Sequence, residues 1–297
     1  APALIGLDPT NLAAINDAMD ASLMGHAYAK SPIDVACWDL TGKAWGASVV
    51  EMLGGVRQTK FPLYFAVPLG SPEEMTDYVN ARRAEGIHRF QLKIEGDPTL
   101  DAKRVRTVID STGDEDIIIG DANCGWRLNE AIQAARSMED LPRFYFEQPC
   151  STMEECIEVR KHTNLPMIYD EIVSDIPALI RAVREGGAGG FNLKISKVGG
   201  LTKAKQMRDL CEELGLQITV EDTWGGDIVT ATSAHVAASI KERSLLSVSF
   251  MNDWTKEHIA GHKPRSKNGF GHVPTGPGLG IDVNLSLLEE PLFSVGT

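Results

Sequence analysis

Short apolar runs rich in β-branched and aromatic residues recur at nearly even spacing along most of the chain. Eight such runs begin near Phe61, Arg89, Asp116, Arg143, Pro166, Gly190, Gln217 and Leu245. Their starts lie 23 to 28 residues apart, which leaves room for a turn, a helix and a second turn between runs. Eight strand–helix units predict an α/β fold of the (β/α)8 type, the TIM barrel. A doubly wound open sheet also alternates strands and helices, but no Gly-x-Gly-x-x-Gly follows the first run.

The gaps between these runs carry helix signals. Ser71-Pro72-Glu73-Glu74 supplies an N-cap residue, a proline at the first helical position and a capping-box glutamate. The stretch from Leu201 to Leu214 has apolar residues at intervals of three and four and stops at Gly215. Helices are therefore predicted in both gaps.

The first part of the chain, residues 1–58, does not share this rhythm. Two helices are predicted there, one from Asp8 to about Met24 and one from Ser31 to about Gly46. We interpret this part as a helical piece that packs outside the barrel.

The remaining chain is divided into two further parts. Residues 59–273 are predicted to form the barrel. Residues 274–297 begin with a Gly- and Pro-rich stretch and are predicted to return to the helical piece. Because no low-complexity linker separates the parts, we expect one rigid unit.

Charge and cysteine content exclude several classes of partner and site. The net charge of the 297 residues is −12, which argues against nucleic acid or an anionic membrane as partner. A transmembrane helix requires a run of about eighteen apolar residues, and the chain has no such run. The five cysteines are odd in number and form no Cys-x-x-Cys pair, so neither a disulfide framework nor a structural zinc site is indicated. We expect a cytoplasmic protein with a small-molecule partner.

Three successive runs end in a carboxylate, at Asp121, Glu147 and Asp170. A charge at the end of a buried strand is costly unless something there uses it, and the carboxyl ends of barrel strands meet at one face. Oxygen ligands without a nearby histidine favour Mg2+ over zinc, with Mn2+ as a substitute. We therefore predict that these three acids bind one divalent cation.

Two lysines bracket the three acids. Lys93 ends the second run and Lys194 the sixth, which places them on opposite sides of an eight-stranded barrel. A substrate carboxylate on the cation would place its α-carbon between the two ammonium groups. A lysine near a second cation and a metal has a lowered pKa, so we expect one lysine to act as a base and the other as an acid.

Asp222 ends the seventh run, and three roles are open for it. It would orient Lys194, bind a polar group of the substrate, or cap the helix that follows. Other residues beside the predicted ligands and lysines are expected to contact the substrate or to support the ligands: Gln91, Asn123, Glu171, Asn192 and Trp224.

Several motifs together resemble the enolase superfamily. Its capping-domain helix signature is similar to Ser31-Pro32-Ile33-Asp34-Val35-Ala36-Cys37-Trp38-Asp39-Leu40-Thr41-Gly42-Lys43, which is followed by Leu53-Gly54-Gly55. The muconate-lactonizing and mandelate-racemase-like branches have motifs similar to Asp121-Ala122-Asn123 with Trp126, Glu147-Gln148-Pro149, Asp170-Glu171, and Lys194 followed by Gly199-Gly200-Leu201. The resemblance covers essentially the whole chain, and the motifs are specific as a set.

The resemblance implies Mg2+ at the three acids, acid and base roles for Lys93 and Lys194, and a homo-oligomer. It also implies an α+β capping domain, of which residues 1–58 are the helical part. The family usually has Lys-x-Lys on the second strand, whereas the first position in this chain is Gln91. Such enzymes begin with a three-stranded capping sheet, and the resemblance begins after the position expected for it.

The leading hypothesis is a Mg2+-dependent enzyme that removes the α-proton of a carboxylate substrate through an enediolate. The stretch from Glu221 to Ala231 resembles members that act on proline derivatives, so racemisation or epimerisation of a proline-like amino-acid derivative is the specific prediction. Dehydration of a hydroxy acid such as cis-3-hydroxyproline, or cycloisomerisation, is the alternative for the same residues. A Schiff-base aldolase with Lys194 as nucleophile and a catalytically inactive relative rank lower.

Overall fold

The computed structural model describes residues 2–291 and 294. The strands of this part are β1 (Lys60–Pro62), β2 (Phe65–Val67), β3 (Arg89–Lys93), β4 (Ile117–Asp121), β5 (Phe144–Glu147), β6 (Met167–Tyr169), β7 (Gly190–Lys194), β8 (Gln217–Glu221), β9 (Leu245–Val248) and β10 (Phe270–His272). Its α-helices are α1 (Leu12–Ser22), α2 (Ala27–Trp45), α3 (Val49–Met52), α4 (Pro72–Arg83), α5 (Pro98–Asp110), α6 (Leu128–Ser137), α7 (Met153–Arg160), α8 (Ile176–Arg184), α9 (Ile195–Val198), α10 (Leu201–Glu213) and α11 (Gly226–Ala238).

Strands β2 to β9 form one parallel sheet in chain order. The sheet closes on itself because Leu63 bridges Val248 in parallel, and the Tyr64 N–H donates to the Val248 carbonyl at 2.9 Å. Helices α4 to α11 lie in the connections between consecutive strands. The predicted (β/α)8 barrel is therefore confirmed.

The first barrel strand begins later than the sequence predicts. Phe61 lies in β1, which pairs antiparallel with β10, and its ring meets Phe250 edge-on with 5.9 Å between centroids. The barrel strand is β2, which starts at Phe65. The start predicted near Phe61 is wrong because both segments are apolar and only two residues separate them, so periodicity does not show where the chain enters the barrel.

The helices with the strongest signals in the sequence are confirmed. Ser71 and Glu74 form the predicted capping box at the start of α4, where the Ser71 N–H donates to Glu74 Oε2 at 2.8 Å. Helix α10 ends just before Gly215. Among the described residues, no helix is both long and apolar enough to cross a membrane.

Both N-terminal helices start at residues other than those predicted. Asp8 stabilises a turn by accepting from the Thr10 N–H, and α1 starts after its N-cap residue, Asn11. Helix α2 starts at Ala27, so Pro32 lies inside the helix. A proline in the second turn removes one backbone hydrogen bond, and packing of the buried face of α2 against the rest of the chain holds the helix past that point.

A buried carboxylate fastens these helices to the barrel. Asp34 in α2 is fully buried and accepts from Asn16 Nδ2 at 2.7 Å, from the Thr202 N–H at 3.0 Å and from Thr202 Oγ1 at 2.6 Å. Gly200, just before α10, has φ +120°, and a Cβ there would lie 2.4 Å from Asp34 Oδ2. The glycine therefore allows the loop after β7 to approach the carboxylate.

The chain after β10 runs back to the helical part. The Val49 N–H donates to the Gly278 carbonyl at 2.8 Å, and the Leu279 N–H donates to Asp39 Oδ1 at 2.8 Å. Residues 292–293 and 295–297 of the predicted returning segment, and residue 1 of the predicted helical piece, lie outside the described residues.

The inner face of the barrel changes character along its length. Ile119, Ile168 and Leu246 form a buried apolar cluster. Side chains two positions apart on a strand share a face, so the next inward positions after Ile119 and Ile168 are Asp121 and Asp170. An apolar filling therefore lies beneath a charged layer at the carboxyl ends of the strands.

We expect Asp34→Ala to lower the free energy of unfolding by about 3 kcal/mol, because three donors lose a buried, charged acceptor at once. Urea unfolding followed by circular dichroism measures the change. Asp20→Ala is the matched control, since the Asp20 carboxylate is about half exposed beside Lys30 and Lys203 and such pairs contribute roughly 1 kcal/mol or less. Equal losses in the two variants would contradict the role given to Asp34.

Candidate active site

The carboxyl ends of the barrel strands bring charged side chains to one end of the molecule. In the strand register Lys93 is level with Asp121, and Asp121 is level with Glu147. Lys194 is level with Glu221. Because Lys93 ends the second barrel strand and Lys194 the sixth of eight, the two lysines rise from opposite sides of the barrel.

Lys93 is paired on its own side of the site. Its Nζ donates to Asp121 Oδ2 at 2.5 Å and to Asn123 Oδ1 at 2.8 Å. Asn123 in turn donates through Nδ2 to Glu171 Oε1 at 3.0 Å. The structure thus brings together four residues that the sequence predicts to lie in the site.

Lys194 is paired on the other side. Its Nζ donates to Asp170 Oδ2 at 2.5 Å and lies 3.0 Å from Glu221 Oε2. The second oxygen of Asp170 is bound by Lys197, whose buried Nζ donates to Asp170 Oδ1 at 2.7 Å and to the Asn192 carbonyl at 3.1 Å. Asp170 is therefore held from two directions.

Glu147 lies between these pairs and has amide partners instead of a lysine. Its Oε1 accepts from Asn192 Nδ2 at 2.8 Å, and its Oε2 accepts from Gln91 Nε2 at 3.1 Å. Gln91 Nε2 also donates to Glu221 Oε1 at 3.1 Å, and the Tyr64 hydroxyl donates to that same oxygen. A carboxylate has about four acceptor positions, so Glu147 keeps lone pairs that none of these contacts uses.

The acids of the site are poorly solvated. Burial raises the pKa of Glu147 well above its usual range, and repulsion from Asp121, Glu221 and Asp170 raises it further. Burial also raises the pKa of Asp121 to about 6, although the Lys93 ammonium acts in the opposite sense. The negative charges are therefore costly at this position.

Both lysines have a raised pKa in this structure. Burial acts to lower the pKa of both, but the attraction of Asp121 outweighs it at Lys93 and that of Glu221 and Asp170 outweighs it at Lys194, so both pKa values are raised. The lowering expected from the sequence applies to a site whose acids hold a cation, so it stays a prediction. Here Lys93 and Lys194 are each paired with one of those acids.

The charges of the site do not balance among its own side chains. Five carboxylates face three ammonium groups: Asp121, Glu147, Asp170, Glu171 and Glu221 against Lys93, Lys194 and Lys197. With all of these groups ionised, two negative charges are left over, and Asp121, Glu147 and Asp170 are each no more than 1% exposed. An oxygen-bound divalent cation would neutralise this excess. The donor set therefore fits Mg2+.

A second acidic group lies at the opposite end of the barrel. In the described part of the chain, one trio of candidate ligand atoms lies within 4.8 Å of one another, and it consists of His88, Glu115 and Asp116. Asp116 is already paired with Arg83 at 2.8 Å and with His88 at 2.8 Å, so ion pairs account for this group. The oxygens of Asp121, Glu147 and Asp170 do not all come within 4.8 Å of one another, and Asp121 and Asp170 are each paired with a lysine.

Asp222 does not face Lys194. Its Oδ2 accepts from the Thr230 hydroxyl and its Oδ1 from the Trp224 N–H at 2.9 Å, which fixes the turn between β8 and α11. Burial raises the pKa of Asp222 to about 6. The carboxylate beside Lys194 is that of Glu221, at 3.0 Å, so the geometry does not support the orienting role considered for Asp222.

Trp224 lies on the rim of the site. Its backbone is left-handed (φ 66°), and its side chain is 60% exposed. The indole packs against Trp254 with 5.7 Å between centroids, and Trp254 packs against Phe65 at 6.0 Å. Phe65 also lies beneath the Arg82 guanidinium of α4, on the outer side of the barrel, so these ring contacts lead away from the site. Substrate contact by Trp224 stays a prediction.

Three residues around Lys194 and Asp170 are not predicted from the sequence: Tyr64, Lys197 and Glu221. The alternation of side chains along a strand carried the signal for one of them. Asn192 and Lys194 share the inner face of β7, and Thr219 and Glu221 are the equivalent positions on β8. The alternation therefore places Glu221 on the inner face and Asp222 on the opposite face. No local sequence pattern marks Tyr64 or Lys197.

The sequence matches two family models that together span most of its length. Residues 74–287 match the family described as enolase C-terminal domain-like, and residues 1–54 match the mandelate racemase / muconate lactonizing enzyme N-terminal domain. The first match agrees with the barrel, and the second agrees with a capping domain ahead of it.

Two relatives illustrate the activities found among similar proteins. A cis-3-hydroxy-L-proline dehydratase from Roseibium aggregatum is 44% identical over 292 residues, which cover 98% of this chain and 79% of the relative. An N-succinyl-L-Arg/Lys racemase from Bacillus cereus is 28% identical and covers 97% of this chain and 78% of the relative. Homologues are thus isomerases and a dehydratase.

Solved structures agree with the fold and the family. A mandelate racemase/muconate lactonizing enzyme from Roseovarius nubinhibens ISM is 35% identical with a TM-score of 0.92, covering 98% of this chain and 81% of that one. A member of the enolase superfamily from the same organism, complexed with magnesium, is 31% identical with a TM-score of 0.95, covering 98% and 80%. The chain therefore belongs to the enolase superfamily, in its mandelate racemase and muconate lactonizing enzyme branch.

Proposed function

We propose that this enzyme removes the α-proton of a small carboxylate substrate in a Mg2+-dependent reaction that passes through an enediolate. One observation carries the proposal: Lys93 and Lys194 rise from opposite sides of the barrel, and three buried carboxylates lie on the strands between them. A planar carbon between two ammonium groups can lose a proton to one face and gain one from the other.

The residues divide this task between them. Asp121, Glu147 and Asp170 would hold Mg2+, or Mn2+ in its place, and the bound cation would stabilise the negative charge that develops on the substrate carboxylate. Lys93 takes or returns the proton on one face of the α-carbon, and Lys194 does so on the other. Gln91 and Asn192 hold Glu147 in place through their amides.

The substrate class that we favour is a proline-like amino acid with a β-hydroxyl group. The 44% identical relative is a cis-3-hydroxy-L-proline dehydratase, and the exposed indole of Trp224, which follows the carboxyl end of β8, offers an apolar surface for a small ring. In that reaction the Cα–H and Cβ–O bonds break, water leaves, and the resulting enamine tautomerises to a cyclic imine. A substrate without a β-leaving group would be epimerised by the same two lysines, as the relationship to a racemase suggests.

Proton NMR in D2O with Mg2+ tests the proton removal. We expect cis-3-hydroxy-L-proline to lose its α-proton signal and to form the imine. Both enantiomers (hands) of proline derivatives should exchange their α-proton more slowly. Lys93→Ala and Lys194→Ala each should reduce racemisation by about 100-fold or more, because racemisation needs a proton-transfer group on each face, and EDTA should abolish both racemisation and dehydration. No exchange across a panel of amino and hydroxy acids, with Mg2+ bound, would contradict the proposal.

Binding of Mn2+, followed by electron paramagnetic resonance, tests the cation site independently of turnover. We expect Glu147→Gln to weaken binding by at least about tenfold, since an anionic oxygen ligand is lost. Glu115→Gln is the matched control, because Glu115 belongs to the acidic group at the opposite end of the barrel. Weaker binding in Glu115→Gln, with Glu147→Gln unchanged, would place the cation at the wrong end for this chemistry.

A further inference from the structure

The two lysines of the site have different kinds of partner. Lys93 Nζ is bound by Asp121, a predicted cation ligand, and by the neutral amide oxygen of Asn123. Lys194 Nζ is bound by Asp170, also a predicted cation ligand, and by a second carboxylate, that of Glu221. If Asp170 held a cation, Glu221 would remain as an anionic partner of Lys194.

Glu221 is itself fixed inside the barrel. Its side chain is 6% exposed, and its Oε1 accepts from both the Tyr64 hydroxyl and Gln91 Nε2. The other oxygen, Oε2, faces Lys194 Nζ at 3.0 Å. One oxygen is thus held by two neutral donors, so the other is presented to the lysine in a single position.

Tyr64 connects this arrangement to the closure of the barrel. Its backbone N–H donates to the Val248 carbonyl between the first and last barrel strands, and its ring is buried. Gln91 carries no charge and therefore shares Glu221 without competing with the ammonium of Lys194. Gln91 lies on β3, on the far side of the barrel from Lys194, and Tyr64 lies at the seam that closes the barrel.

We propose that Glu221, fixed by Tyr64 and Gln91, is the positioning residue that aims the Lys194 ammonium at its face of the substrate α-carbon. A lysine side chain has four rotatable bonds and loses its aim easily. A buried hydrogen-bonding partner with a fixed orientation limits that freedom and holds the functional side chain in one conformation. The inference rests on the proposed function, because it assigns Glu221 to one of two opposed proton-transfer groups.

The test separates the two faces. Each hand of an exchangeable proline derivative is incubated in D2O with Mg2+, and loss of its α-proton with retained configuration is followed by proton NMR, together with racemisation. Lys93→Ala and Lys194→Ala first assign which hand exchanges through which lysine. In Glu221→Gln we expect exchange of the hand served by Lys194 to fall at least about tenfold. Exchange of the hand served by Lys93 should stay within about threefold, while racemisation falls in both directions.

Two further variants test the positioning role of Glu221. Tyr64→Phe removes one hydroxyl and is expected to give a smaller loss on the same hand, which tests the inference even if Glu221→Gln folds poorly. Asp222→Asn is the matched control: its carboxylate neighbours Glu221 in sequence but binds Thr230 and the Trp224 N–H. Any effect of Asp222→Asn should fall equally on both hands.

The outcomes distinguish this inference from the proposed function. Exchange in the unmodified enzyme with equal losses on both hands in Glu221→Gln would overturn the positioning role alone, since a general structural or substrate-binding role affects both faces. Absence of exchange of either hand in the unmodified enzyme would overturn the proposed function and the inference with it. A loss confined to the hand served by Lys194 supports both.

Discussion

Like charges buried together at one end of the barrel are the constraint on which the rest of this structure depends. A buried carboxylate is costly unless a cation or a donor faces it. Lysines form ion pairs with Asp121 and Asp170, and the side-chain amides of Gln91 and Asn192 donate to Glu147. With all acids and lysines of the site ionised, two negative charges remain unbalanced. That excess suits a divalent cation held between the two lysines.

The fold supports this charged layer from below and from the side. An apolar cluster that includes Ile119 and Ile168 fills the barrel, so the charged residues two positions later are held at its end. The turn between α9 and α10 comes close to Asp34 at Gly200, and Thr202 at the start of α10 donates to Asp34. The helical part is therefore anchored only a few residues from a proposed proton-transfer group, which links the packing of that part to the position of Lys194.

Much of the fold could be predicted from the sequence because each strand–helix unit carries its own local signals. The capping box at Ser71 is confirmed for this reason. The first barrel strand and the start of α2 were misplaced because they depend on pairing and packing between distant segments. The site shows the same division: strand-end residues could be read from the runs, whereas Tyr64 and Lys197 join the site through tertiary contacts. Glu221 could have been predicted, because the alternation of side chains along β8 distinguishes its inner-face position from that of Asp222.

The central claim is that two lysines face opposite sides of one substrate carbon beside a bound cation. A crystal structure with Mn2+ and pyrrole-2-carboxylate, a planar mimic of a deprotonated proline, tests it most directly. The account predicts an anomalous Mn2+ signal at Asp121, Glu147 and Asp170, with the ring carbon that bears the carboxylate between the Nζ atoms of Lys93 and Lys194. Both ammonium groups on one face of the ring, or Mn2+ bound at His88, Glu115 and Asp116 instead, would contradict it.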